Sequence, residues 1–336
     1  MTSIKDVARE VGVSTATVSR ALRGLPRVSE ETRLRVVSVA ERLDYVASPQ
    51  AASLASGQTR AVGVIVPFVT RWFYGSVVHG AEELLREAGY DLLLYNLAGD
   101  HEARHRVFRT HLLRKRVDAV MVLSLSPTEE EIASLARLDR PVAIVGARVP
   151  GWSSVRIDDV VTAKIAVQHL VDLGHRRIGY VGGSLENQLD FAAPLDRLTG
   201  YRSALAAAGL RLNPVWEVAS DFTVRGGLAA TRHLLEASPR PTAIFAASDE
   251  MAIGAVHAVR EVGLRVPDDV SVVGIDDHEM AEFFELTTVA QPVHEQGRLA
   301  ARLLLQAIER GVGDEPPSMT VPTRLVVRRT TAPPGR

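Results

Sequence analysis

Apolar residues recur at helical spacing from Ile4 through Val7, Ala8 and Val11, and Gly12 then interrupts the pattern. Ser3, with Asp6 three residues on, reads as an N-cap with acidic support in the first turn. Gly12 supplies the permissive backbone a tight turn needs. Ser14 caps a second predicted helix whose Val18, Ala21 and Leu22 face inward, while Thr15, Ala16, Thr17, Ser19 and Arg20 stay outside. A Gly/Pro turn with Arg23 and Arg27 leads to Ser29, the cap of a third helix over Glu30–Leu43. Leu34, Val37, Ala40 and Leu43 of that helix fall at core spacing. Two short helices joined by a glycine turn form the helix-turn-helix plan, whose second helix lies in the DNA major groove. An ordinary surface helical hairpin has the same pattern.

Residues 46–60 change to small, uncharged composition up to Arg60, as in a linker, yet Ser48-Pro49 sets a cap before a proline at a first helical position. A helix to about Ala55 would be marginal alone, with Leu54 as its exposed apolar residue. From Ala61 apolar strand-like runs alternate with amphipathic helices. The first series holds strands at 61–66, 90–96, 118–124, 141–146 and 154–158, with helices near 73–88, 101–114 and 128–137. The second has helices near 160–173, 195–208, 224–237 and 249–262, and strands at 176–183, 215–218, 243–248 and 270–276. A helix near 293–310 and a strand at 323–329 follow, and the last residues read as a frayed tail. This pattern predicts an α/β chain: a three-helix head followed by two doubly wound lobes with parallel sheets covered on both faces.

The 336 residues contain no cysteine, which excludes disulfides, thiolate zinc sites and cysteine nucleophiles. The N-terminus has no apolar signal region and no run reaches membrane-span length, so a reducing cytoplasm without a membrane partner fits. The net charge of −1 hides an excess of nine Lys+Arg over six Asp+Glu in residues 1–60. Ligands of open parallel sheets sit beyond the strands' carboxyl ends. That rule selects Arg71–Tyr74, Ser124, Arg148, Asp158, Ser248, Asp249 and Asp276, with Arg197 able to fork onto a ligand. Each taken singly also reads as a cap or a surface ion pair. His101-Glu102-Ala103-Arg104-His105 spells the zinc-protease pattern H-E-x-x-H, but no third ligand follows. YVGGS at 180–184 is neither a dinucleotide fingerprint nor a phosphate loop. No metal, cofactor or catalytic residue is assigned. His169 and His175 read as the end of a helix, where positive charge is favourable.

Taken in order, IKDVAREVGVSTATVSRAL, PRVSEETRLRV, LDYVASPQAASLAS, HLVDLGHRRIGYVGG, ASDEMAIGA, VPDDVSVVGIDD and TTVAQPVHEQG resemble the lactose/galactose repressor family of bacterial transcription regulators over essentially the full length. The resemblance implies a helix-turn-helix head at 1–46, a hinge helix at 47–60 and a two-lobed effector and dimerisation domain at 61–336. The N-lobe spans about 61–159 and 291–320, the C-lobe about 160–290 and 321–330. It further implies a homodimer on a pseudo-palindromic operator, controlled by a small molecule. Thr15, Ala16 and Arg20 take the base-reading positions; Arg20 suits guanine and the small pair a thymine methyl. Ser14, Thr17, Ser19 and Tyr45 take phosphate positions, and Leu54 the minor-groove wedge. Phe73, Arg197, Phe222, Ser248, Asp276 and Gln291 match effector-lining positions, which suits a sugar, polyol or nucleoside. The sequence departs from the family at Ala47, Ser48 and Ala52, which replace the family's proline, asparagine and arginine, and at the bulky Arg71-Trp72-Phe73-Tyr74 lip. A solute receptor without DNA function and a sugar-processing enzyme are the rival readings.

Overall fold

A computed structural model describes residues 2–45, 58–109, 113, 115–184, 192–311 and 315–335. Its backbone divides into two compact units, one of residues 1–60 with 115–117 and one holding the remainder.

The first unit contains α1 (Ile4–Val11), α2 (Thr15–Leu22) and α3 (Glu30–Arg42). Asp6 accepts hydrogen bonds from the Ser3 amide at 3.0 Å and the Ser3 hydroxyl at 2.6 Å. Gly12 ends α1 at φ 78°, in the left-handed region that side chains disfavour. Ser14 caps α2 by accepting from the Thr17 amide at 3.1 Å. The core gathers Val7, Ala8, Val11, Val18, Ala21, Val36 and Ala40. Two expectations fail here: Leu34 is 63% exposed and Val37 lies outside the core, with Val36 buried instead, because the inward stripe of α3 runs through 36, 39, 40 and 43.

Among the described residues the second unit holds two six-stranded sheets. Strands β1 (Ala61–Val66), β2 (Asp91–Asn96), β3 (Ala119–Leu123), β4 (Val142–Val145), β5 (Ser153–Arg156) and β11 (Ser318–Thr320) form one sheet in the order 11-5-4-3-1-2. Strands β6 (Ile178–Gly183), β7 (Glu217–Ser220), β8 (Ala243–Ala246), β9 (Ser271–Asp276), β10 (Thr287–Ala290) and β12 (Arg324–Val326) form the other, in the order 12-10-9-8-6-7. The described pairings are parallel except β10 with β12. Helices α4 (Trp72–Glu87), α5 (His101–Arg109), α6 (Glu129–Ala136), α7 (Asp159–Asp172), α8 (Ala193–Ala207), α9 (Val224–Leu235), α10 (Asp249–Glu261) and α11 (Val293–Arg310) cover the sheets. Each sheet anchors its own apolar core, around Val64, Met121 and Val145 in one and Tyr201, Phe245 and Val272 in the other. The α/β class with two doubly wound lobes is as the sequence predicts.

Four details differ. The run at 215–218 is a 3₁₀ turn at Pro214–Trp216 leading into β7, and β10 and β11 went unread. The C-terminal tail is tied down: Ala332 donates to Ser271 Oγ at 3.0 Å and its carbonyl lies 2.8 Å from His175 Nε2. His175 itself is buried between Thr242 and Ser271, and desolvation holds its imidazole below the usual range. Burial and these hydrogen bonds thus disfavour a positive charge on His175 itself, contrary to the expectation for that helix end.

Candidate functional site

In the first unit, α2 buries Val18 and Ala21 and turns the opposite face outward. Ser14, Thr15, Ala16 and Arg20 are exposed, and Thr17 and Ser19 are half-buried. No acidic residue lies in α2, so nothing on the helix opposes phosphates. Tyr45 is half-buried and its ring packs against the head core. The hinge expectation, with Leu54, Ala47, Ser48 and Ala52, lies outside the described residues.

In the second unit a cleft opens between the two sheets at their carboxyl ends. It encloses a cavity of about 110 Å³, room for several waters or one small polar ligand. Its lining includes every effector position of the sequence reading: Phe73, Arg197, Phe222, Ser248, Asp276 and Gln291. Arg197, on α8, is buried. Its Nε donates to Asp159 Oδ1 at 2.7 Å, its Nη1 donates to the Ala247 carbonyl, and Asp276 Oδ1 stands 4.0 Å away. Burial works against the cation, but Asp159 and Asp276 outweigh it and raise the guanidinium above its ordinary value. Asp276 ends β9 and accepts from Gln291 Nε2 at 2.6 Å; Gln296 Nε2 donates in turn to Gln291 Oε1 at 2.9 Å. Burial pushes the Asp276 carboxyl up to about 6, with Arg197 and Gln291 holding it back. Phe222 sits at φ 59° and Asp276 at φ 128°, backbone strain of the kind concentrated at ligand sites.

Asp249 lies behind this network. Its Oδ1 accepts from Thr288 Oγ1 at 2.7 Å and its Oδ2 from the His278 amide at 2.9 Å. Burial, reinforced by the Asp276 charge, lifts Asp249 to about 8. At the cleft mouth Arg71 Nη1 donates across to the Phe222 carbonyl at 2.8 Å, and the Trp72 and His278 rings lie 4.6 Å apart.

The strand-end residues divide accordingly. Arg71, Phe73, Tyr74 and Ser124 line the cavity; Arg148 is exposed elsewhere. Asp158 caps α7 through the Val161 amide at 2.9 Å, and its neighbour Asp159 takes the place in the site. Asp159, Asp221, Glu250, Gln296 and Phe68 are lining residues that sequence reasoning missed. Of the H-E-x-x-H pattern, Arg104 is buried against Glu131 at 2.8 Å while His101 and His105 are exposed. Among the described residues no helix is long and apolar enough to cross a membrane.

Head and cleft together define a DNA-binding transcriptional regulator with a two-lobed small-molecule receptor. Residues 3–48 match the family described as bacterial regulatory proteins, lacI family, and residues 167–331 match the periplasmic binding protein-like domain. Catabolite control protein A of Priestia megaterium is 35% identical over 98% of this chain and 99% of its own length. The lac repressor dimer bound to operator and the anti-inducer ONPF superposes with a TM-score of 0.87, at 27% identity over 98% of this chain and 99% of that one. The complex of the transcriptional regulator CelR with cellobiose gives 0.73, at 34% identity over 98% and 100%. The chain belongs to the lacI family of bacterial regulatory proteins.

Proposed function

We propose that the chain is a cytoplasmic, non-enzymatic repressor that binds a pseudo-palindromic operator as a homodimer. A sugar, polyol or nucleoside held in the cleft sets its grip on DNA. The observation that carries this reading is the buried Arg197–Asp159–Asp276–Gln291 network between aromatic walls. A guanidinium has five N–H donors; Asp159 and Ala247 engage two, which leaves a fork for a ligand hydroxyl pair. Asp276, already a hydrogen-bond acceptor, takes a ligand hydroxyl on its remaining lone pairs, and Phe73 and Phe222 give apolar faces for a sugar or base ring.

At the head, Arg20 reads guanine O6 and N7, Thr15 and Ala16 contact a thymine methyl, and Ser14, Thr17, Ser19 and Tyr45 meet phosphates. Leu54 wedges a minor-groove step. The test is a thermal-shift screen of the full chain against sugars, polyols and nucleosides, with each hit then titrated onto the DNA complex. A ligand at a hundred times its dissociation constant stabilises the folded state by about 2.7 kcal/mol. Turnover of a hit would favour the enzyme reading, and binding with no operator bound at any ligand concentration would favour the solute receptor.

A further inference from the structure

Away from the cleft, the described residues bring three metal-ligating side chains together: His79, Glu83 and His294. His79 and Glu83 lie one helical turn apart on the same face of α4, and His294 comes from the first turn of α11. The crossing of the two helices fixes the third ligand. A Cβ added at Gly80 would stand 2.0 Å from the His294 carbonyl oxygen, and one at Gly297 2.0 Å from that of Val77. The backbones beneath the ligands are therefore locked at close approach. Both imidazoles turn Nε2 toward one carboxylate, His294 at 3.1 Å and His79 at 3.5 Å. Their side chains are 42% and 68% exposed, open to an entering ion.

We propose that His79, Glu83 and His294 bind a divalent transition-metal ion of the zinc class across the α4–α11 crossing. Two imidazoles and a carboxylate are a recurring three-ligand set for Zn²⁺, with water left to the fourth position. Imidazole favours Zn²⁺, Ni²⁺ and Cu²⁺ over Mg²⁺ and Ca²⁺. The donor atoms lie within 4.8 Å of one another. Contacts of about 2.1 Å to a tetrahedral ion need donors about 3.4 Å apart, a closure that small rotations of these part-exposed side chains supply. Arg298 competes for Glu83 at 3.1 Å, but its Nε also lies 3.7 Å from Glu295, the partner to which it moves when the ion arrives. Binding displaces any proton on the two imidazoles. The ion clips together the helices that carry Phe73, Tyr74 and Gln296, one wall of the cleft.

Calorimetric titration of the chelator-stripped full chain with ZnCl₂ tests the site. The expected result is saturable uptake of one ion, weakened at least about tenfold by His79→Ala or His294→Ala. The His101→Ala/His105→Ala chain, altered at an exposed histidine pair outside the site, titrates as wild type. Circular dichroism and thermal denaturation confirm that each variant is folded. Absence of saturable uptake at millimolar Zn²⁺ overturns the proposal. So does unchanged uptake by the His79→Ala and His294→Ala chains, or loss confined to the His101/His105 variant.

Discussion

Arg197 is buried with Asp159 at 2.7 Å and Asp276 at 4.0 Å, so its removal strands carboxylates away from water. Breaking a buried pair from one side costs about 3–5 kcal/mol. Arg197→Ala is expected to lose stability of that order in urea denaturation. Arg197→Lys keeps the charge but not the planar fork, so it loses less stability while effector affinity still falls. The two raised carboxyls give opposite readouts. As pH falls through about 6, Asp276 takes up a proton and effector affinity declines in calorimetric titration. Asp249 acts on folding: its pKa is higher folded than unfolded, so its contribution is fully present below about pH 4 and is lost as pH rises through about 8. Asp249→Asn flattens that decline, whereas an unchanged pH–stability curve would contradict the assignment. The strand-end rule found lining residues such as Phe73, Ser248 and Asp276 because chemistry and topology agree there, whereas Arg197 stood out at a helix start and Phe222 only through the family resemblance. It could not separate Asp158 from Asp159, since adjacent aspartates at a helix start differ only in which one turns outward as the cap. Gln296 was illegible for a related reason: its inward direction depends on how α11 crosses its neighbours.

Elements were read well wherever an apolar run stood alone. Strand β1 is recovered residue for residue, because AVGVIV is buried throughout. Strand β10 was missed because half of it is threonine. Thr287 and Thr288 are buried only because Thr330 and Asp249 satisfy them, and those partners lie far along the chain. The frayed-tail expectation failed similarly, since proline and glycine signal irregular backbone but not the hydrogen bonds to Ser271 and His175 that hold it. Leu34 shows that helical spacing alone can fit more than one stripe. Close helix crossing leads to a further prediction. Gly80→Ala drives a methyl into the His294 carbonyl and is expected to cost about 1–3 kcal/mol in thermal denaturation. Gly75→Ala on the same helix meets nothing within 4 Å and is expected to be neutral or stabilising. Equal effects of the two would mean the α4–α11 approach is looser than described.

The protein carries two separately built parts, a head whose outward α2 face bears Arg20 and a receptor whose cleft bears Arg197. The head prediction is local. Arg20→Ala is expected to weaken specific operator binding by about 1–3 kcal/mol and relax preference at one base pair, read by fluorescence anisotropy on matched and mismatched duplexes. The link between the parts shows in the operator affinity of the full chain, measured at fixed salt with and without a saturating ligand from the thermal-shift screen. A change of about 5–150-fold is expected, matched by the same factor in ligand affinity when operator is present. A ligand that fills the cleft at saturation and leaves operator affinity where it was would contradict it.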